Sequence, residues 1–309
     1  MMNLFTSYNN IPDRFKNAVI VIGNFDGVHC GHQVLLRRAQ DIARHTGRAA
    51  CVLTFEPHPH VLFQPDRPPA RITPAALKVS RLEAMGMDAV FALPFDWNFA
   101  SQSAEDFVRN ILIDGLGASH VVVGYDFCFG QLRKGTPDTI REAGIDITVV
   151  EKIQDAQAQC FSSSRVRQLI RHGNIVQANL TLGWDWQMSG IVVQGDQRGR
   201  VLGYPTANFA LEDTIHPAYG VYATLARVGD HGVWHPSATN IGIRPMFEVE
   251  DAQVETFIFD FDREIYGERL YVRPVERLRG EAKFASLDDL ILQMQKDCQR
   301  ARNILKDLV

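Results

Sequence analysis

The chain has 309 residues, 46% hydrophobic and 22% charged, the profile of a globular protein with room for two domains. Lysine plus arginine total 32 against 36 aspartate plus glutamate, a formal net charge of −4 that argues against duplex nucleic acid as a bulk partner. Five scattered cysteines without CxxC spacing argue against a disulfide framework. With no basic n-region, no apolar h-region and no run long enough to span a bilayer, the expectation is a cytoplasmic protein that binds neither nucleic acid nor membrane.

Residues 18–22, AVIVI, are an apolar run of strand length, as in a strand buried on both faces. Residues 33–44 carry apolar side chains at helical spacing, and Gly47 supplies the stop. Between them lies GNFDGVHCGHQ, residues 23–33. A strand thus feeds a glycine-rich turn that opens a helix bearing His29 and His32. Glycines let backbone approach a ligand closely, and a helix N-terminus offers unpaired N–H groups to a phosphate. Residues 49–55 predict a second buried strand. Thr73 and Pro74 predict an N-cap and first helical position for a helix ending at Gly86. Residues 88–93 predict a third strand, and Ser103 with Asp106 a capping box on a helix reaching about Asp114. Residues 120–123 and 145–150 predict two more strands. Strands alternating with helices imply a parallel sheet covered on both faces, with ligands beyond the carboxyl ends of the strands.

From Trp186 the pattern changes. Residues 191–193, 220–228, 254–262 and 270–278 are β-rich, separated by turns, and predict an antiparallel barrel or sandwich. Ser286 predicts the cap of a closing helix whose stripe includes Leu287, Leu290, Ile291, Met294, Cys298, Ala301, Ile304 and Leu305. The expected domains are 1–185 and 186–309.

Three motifs in the first half follow strands or open helices. The first is the histidine turn. The second is VVVGYDFCFG (121–130), which puts Gly124, Asp126 and Phe127 at a strand end. The third is FSSSRVR (161–167), which offers hydroxyls, helix N–H groups and an arginine one turn in. A zinc pair is the alternative for His29 and His32, but no third ligand stands at metal spacing. No GxxxxGK(S/T) or GxGxxG string is present. In the second half, GDQRGRVLGYPTAN (195–208) joins a glycine and arginine loop to Thr206 and Asn208, oxygen ligands suited to magnesium carrying phosphates. Alternation along 254–262 puts Glu255 on the face of Phe257, Phe259 and Phe261. A carboxylate there costs free energy unless something uses it. The alternative is an edge position where Glu255 escapes into solvent at the strand end.

HxGH resembles the nucleotidyltransferase superfamily, and the longer string resembles the adenylyltransferase half of bacterial bifunctional riboflavin kinase/FAD synthetases. GxPTAN is similar to the hallmark of the riboflavin kinase half of that family. The resemblance runs from about Ala18 to Arg302 and takes in TFEPHP (54–59), NIGIRP (240–245) and Lys283-Phe284. It implies an α/β fold: an N-terminal Rossmann-like nucleotidyltransferase domain, then a C-terminal antiparallel riboflavin kinase-like barrel with a closing helix. It implies ATP-dependent phosphorylation of riboflavin to FMN, then adenylylation of FMN to FAD with release of pyrophosphate. Riboflavin, FMN and ATP are the implied small-molecule partners and Mg2+ the implied cofactor, while a weak homo-oligomer stays open. By the resemblance Gly23, Asn24, Phe25, His29 and His32 grip the ATP phosphates. Ser163, Ser164 and Arg167 hold the β/γ end, and Gly124, Asp126 and Phe127 lie by flavin and adenosine. Thr206 and Asn208 contact Mg-ATP, residues 195–203, with Gly199 and Gly203, form a flap, and Glu255 is the base on the riboflavin 5′-hydroxyl. The chain departs from the family pattern at Cys128, Phe161, Trp184-Asp185, Met246 and Gly280.

Overall fold

The computed structural model describes residues 2–64, 70–195, 199, 202–211, 213–243 and 252–308. It separates into two compact units, Met1–Ser163 and Ser164–Val309.

In the first unit the five expected strands form as β2 (Val19–Ile22), β3 (Ala50–Glu56), β4 (Ala89–Pro94), β5 (His120–Gly124) and β6 (Asp146–Val150). A further strand, β1 (Asn3–Phe5), pairs parallel with β4 at one edge. The sheet is wholly parallel, in the order β1-β4-β3-β2-β5-β6. Alternate strand residues serve opposite faces. Ile20, Ile22, Leu53, Phe91, Val121 and Val123 pack with Phe107, Ile111 and Leu112. Val19, Val21, Val52, Val90 and Val122 pack with Leu36, Ala39 and Leu82. Both faces are therefore dry, which explains apolar runs rather than alternation in these strands.

The helices are α1 (Cys30–Thr46), α2 (Pro59–Phe63), α3 (Ala75–Ala84), α4 (Trp97–Ala100), α5 (Ala104–Asp106) and α6 (Pro137–Glu142). Helix α1 stops where Gly47 turns left-handed at φ 66°. Ser103 caps α5 by accepting the Asp106 N–H at 2.9 Å. The chain then continues as a π-helical stretch, Phe107–Gly115. One expectation is corrected: Thr73 does not cap α3. Pro74 takes that position without a side-chain bond, because the Thr73 hydroxyl is committed to Asp26 and to the Gly27 N–H.

Helix α7 (Ser163–Arg171) starts at the last residue of the first unit and otherwise belongs to the second, as does α8 (Ile175–Leu182). Six strands follow: β7 (Met188–Ile191), β8 (Ala207–Ala210), β9 (Gly220–Val228), β10 (His235–Ile243), β11 (Ala252–Ile258) and β12 (Arg269–Arg279). They pair antiparallel in the order β7-β12-β9-β10-β11-β8. A bridge between Val193 and Asn208 brings the two ends of the sheet together, giving a nearly closed barrel. One face buries Tyr222, Ile241 and Val254 with a hydroxyl chain through Ser237, Thr224, Thr239 and Thr256. The other packs Ala223, Leu225 and Ala238 against Ala301 and Leu305 of the closing helix α9 (Leu287–Leu305), which Ser286 caps.

The expected boundary between 185 and 186 falls inside this unit. Helices α7 and α8 travel with the barrel: Ala218 N–H bonds the Ile170 carbonyl at 3.2 Å, and Trp186 N–H bonds Asn179 Oδ1 at 2.9 Å. The strand expected over 254–262 stops at Ile258, because Asp260 turns left-handed at φ 54°. Phe259 still packs with Phe257 in the cluster under the closing helix, ring centroids 5.6 Å apart, while Phe261 lies past the turn and lines a cavity with Thr256 and Ile258.

Candidate active sites

The first site stands where β2 ends beside its two neighbours, β3 and β5. The chain leaves toward β3 on one side and reaches β5 on the other, the switch point where open α/β sheets form a crevice. His29 is the N-cap of α1, its ring accepting the His32 N–H at 3.3 Å. The two imidazoles stack at 3.6 Å between centroids, and the buried Phe25 ring meets His32 edge-on at 5.2 Å. Phe25, Gly27 and Val28 all have positive φ, so the turn is tightly wound. Burial, then the neighbouring His29 and Lys78, hold the His32 pKa well below 6.5. Its ring is therefore neutral at neutral pH, and among the described residues its Nδ1 has no hydrogen-bond partner.

Two supports of this turn were missed in the sequence because they come from far along the chain. The buried Asp26 carboxylate accepts the N–H groups of Ile72 and Thr73 at 3.0 and 2.9 Å and the Thr73 hydroxyl at 3.1 Å. Lys78, buried on α3, donates to the Asn24 carbonyl and to Thr54 Oγ1, each at 3.3 Å, and pairs with Glu56 at 2.6 Å. Glu56 also takes Arg71 at 2.9 Å. The sole sequence signal was TFEPHP, which holds Thr54 and Glu56.

The other first-half residues are brought together only in part. Ser163 reaches the turn, its hydroxyl donating to the Asp26 carbonyl at 2.8 Å. Ser164, exposed, and Arg167, half-buried, belong to the second unit. Gly124 ends β5 and its carbonyl accepts the Phe127 N–H at 3.1 Å, so Asp126 stands exposed at the strand's carboxyl end. Phe127 stacks on Phe129 at 5.4 Å. From there ring contacts run through Phe107, Phe99, Phe95 and Phe63 to Trp97. Phe63 and Trp97 are 56% and 63% exposed, an aromatic surface that periodicity did not reveal. Among the described residues no cluster of three or more His, Cys, Asp or Glu could hold a metal.

In the second site Glu255 sits mid-strand, not at a strand end. It lies opposite Asn208 of β8 on one side and Asn240 of β10 on the other. Directly opposed residues point to the same face, so Asn208, Glu255 and Asn240 form one polar row. Phe257 follows on that face, with the Tyr204 ring 5.3 Å away. Asn208 is buried, and its amide nitrogen donates to the Thr206 carbonyl at 3.0 Å. Its Oδ1 has no partner among the described residues. A Cβ at Gly195 would come within 2.7 Å of the Asn208 amide, so that glycine permits the close approach. The Gly199 carbonyl accepts the N–H groups of Leu202 and Tyr204, and Gly203 has φ 83°. The rest of the expected flap, 196–198 and 200–201, lies outside the described residues, as does Met246. A cavity of about 390 Å3 is lined by Thr206, Asn208 and Thr256 together with Asp262, Arg263 and Tyr266. Glu255 does not line it: the neighbouring Thr256 does, from the opposite face of β11.

Each half of the chain is similar to a family of known proteins. The family model for FAD synthetase matches residues 11–165, and that for riboflavin kinase matches 182–305. A bifunctional riboflavin kinase/FMN adenylyltransferase of Bacillus subtilis is 37% identical over 306 residues, 96% of each chain. One from Escherichia coli is 36% identical over 292 residues, 93% of this chain and 92% of its own. A solved structure described as a macrolide-efflux protein from Streptococcus pneumoniae superposes with a TM-score of 0.88 at 32% identity, covering 98% of this chain and 99% of that one. Efflux is said of that protein alone. Among the described residues here, no helix is long and apolar enough to cross a membrane.

Proposed function

The chain belongs to the family of bifunctional riboflavin kinase/FMN adenylyltransferases, and from that premise we propose how its residues divide the work. It phosphorylates riboflavin with ATP to give FMN, and adenylylates FMN with ATP to give FAD and pyrophosphate.

Adenylylation belongs to the first site. The observation that carries this is the stacked His29 and His32 pair at the N-terminus of α1, at the sheet's switch point. The FMN phosphate attacks the α-phosphorus of ATP in line, the bond to the β-phosphate oxygen breaks, and pyrophosphate leaves. The attacking phosphate is already ionised, so no histidine need remove a proton. A neutral His32, the capping His29 and the N–H groups of the 23–32 turn act by positioning and by stabilising charge. Asn24 and the close-approach Gly23 belong to the same grip. Ser163, Ser164 and Arg167 are assigned to the β/γ end. Gly124, Asp126 and Phe127 are assigned to flavin and adenosine, and the exposed Phe63 and Trp97 offer stacking surface to the flavin ring.

Phosphorylation belongs to the second site. Glu255 takes the proton of the riboflavin 5′-hydroxyl as that oxygen attacks the γ-phosphorus, and ADP leaves. Its place in a polar row beside Asn208 supports this role over a solvent-exposed strand end. Thr206 and Asn208 fit a magnesium ion, because a buried amide oxygen with no partner among the described residues is a ready oxygen ligand. Bound there, the ion would supply neutralising charge for the ATP phosphates. The cavity beside them has the size and lining of a nucleotide pocket. None of the five cysteines forms a disulfide, which supports placing the enzyme in the cytoplasm.

The test is incubation with riboflavin and Mg-ATP, and separately with FMN and Mg-ATP, followed by chromatography. FMN appears first and FAD later. A chelator stops both steps, and zinc alone does not restore them. Rescue of FAD formation by zinc alone would overturn the metal assignment.

A further inference from the structure

Lys78 is a buried cation with no place in either chemical step above. Burying an ammonium group is costly unless its three N–H donors are met. Here each has an acceptor: the Asn24 carbonyl, Thr54 Oγ1 and Glu56 Oε1. Those acceptors come from the histidine turn and from β3. Thr54 donates in its turn to the same Asn24 carbonyl at 3.2 Å. One backbone oxygen of the turn is thus held from two sides. The next residue, Phe25, has φ 51° and carries the ring against which His32 rests. The Asn24 peptide therefore sets where that ring, and His32 behind it, can lie.

The charges around Lys78 balance. Lys78 and Arg71 are cationic, while Glu56 and Asp26 are anionic, and Glu56 binds both cations. The four formal charges sum to zero, so the cluster adds little field toward a polyphosphate. Its effect is geometric. We infer that Lys78 is a positioning residue for adenylyl transfer, which fixes the Asn24 carbonyl and through it the Phe25 and His32 side of the phosphate-binding turn. This rests on the assignment of adenylylation to that turn.

The experiment uses the full-length enzyme and reads kcat and KM for ATP in FAD formation, with riboflavin phosphorylation in the same preparation as reference. Misplacing reacting groups by about 1 Å can cost a hundredfold. Lys78→Met is therefore expected to lower kcat for FAD formation about ten- to a hundredfold, move KM for ATP less than about threefold, and leave FMN formation within about twofold. Thr54→Val removes one acceptor of Lys78 and one donor to Asn24 with almost no change of shape. It should shift kcat in the same direction by about three- to tenfold, and it keeps the idea testable if Lys78→Met does not fold. In Glu56→Gln/Lys78→Met both charges are gone but the Asn24 carbonyl still lacks the Lys78 donor, so kcat should stay low. Recovery of kcat in that double variant would mean that Lys78 only neutralises Glu56. A raised KM with intact kcat, or normal kcat in folded Thr54→Val, would equally overturn the inference. His32→Ala separates the two levels. If it fails while the Lys78 and Thr54 variants are normal, only the positioning role falls. If it too makes FAD normally, the site assignment falls.

Discussion

Asp26 gives a graded test of how the histidine turn is built. Its Oδ1 alone accepts three donors: Ile72 N–H at 3.0 Å, Thr73 N–H at 2.9 Å and the Thr73 hydroxyl at 3.1 Å. Oδ2 takes a longer contact from the Ile72 N–H at 3.3 Å. Asp26→Ala leaves those donors buried without that acceptor, at about 1–3 kcal/mol each, so about 3–6 kcal/mol in all after partial relaxation. Asp26→Asn keeps an oxygen at the Oδ1 position and loses the charge assistance, which costs about 1–2 kcal/mol. For a unit of this size each kcal/mol moves the melting temperature by about 2–4 °C, so alanine should lower it by about 6–24 °C and asparagine by about 2–8 °C. The assay is residual activity after graded heating, FAD formation from FMN reporting the first unit and FMN formation from riboflavin the second. Half-inactivation of FAD synthesis should follow the order wild type, Asn, Ala, while FMN formation holds its wild-type temperature. Equal losses for Asn and Ala would refute the argument that acceptance at Oδ1 holds residues 72 and 73 to the turn.

His32→Ala should slow FAD formation more than tenfold, above about 1.4 kcal/mol of transition-state stabilisation, with riboflavin phosphorylation almost unchanged. Equal loss of both from a folded protein would contradict separate sites. Glu255→Gln keeps size but cannot take a proton, so FMN formation should fall about a hundred- to ten-thousandfold while FAD formation from supplied FMN persists. Near wild-type phosphorylation by that variant would remove Glu255 as the base. The depressed His32 pKa has a stability consequence. The unfolded ring takes up a proton near 6.5 while the folded ring resists it, so stability is full above that pH and falls as the medium acidifies from 6.5 toward the folded pKa. Urea unfolding of the first unit from pH 7.5 down to 5 should show this loss, and His32→Gln should flatten it. An unchanged slope in that variant would assign the acid loss elsewhere.

The local elements were written in the sequence wherever a short stretch carried its own pattern. The runs that became β2, β3, β4 and β5 are apolar on both faces because both faces are covered. Ser103 and Ser286 announced their helices because a cap acts within three residues. The glycine-bounded histidine turn was legible because positive φ and a helix N-terminus leave a compositional mark. Strand β1 was not, since three residues at a sheet edge gain their pairing only from β4, far along the chain. Thr73 looked like a cap and is instead a partner of Asp26, because a hydroxyl goes to the strongest acceptor that tertiary folding brings within reach. Alternation put Glu255 beside Phe257 correctly but could not say what lies across the strand. Only the barrel's register set Asn208 and Asn240 beside it and left Asn208 Oδ1 without a described partner. The sequence by itself thus determined the strand and helix content and the residues that carry chemistry, because both follow from short-range pattern. Tertiary structure decided what supports those residues, as with Lys78 under the Asn24 carbonyl, because a hydrogen bond between positions 54 residues apart leaves no trace in local periodicity.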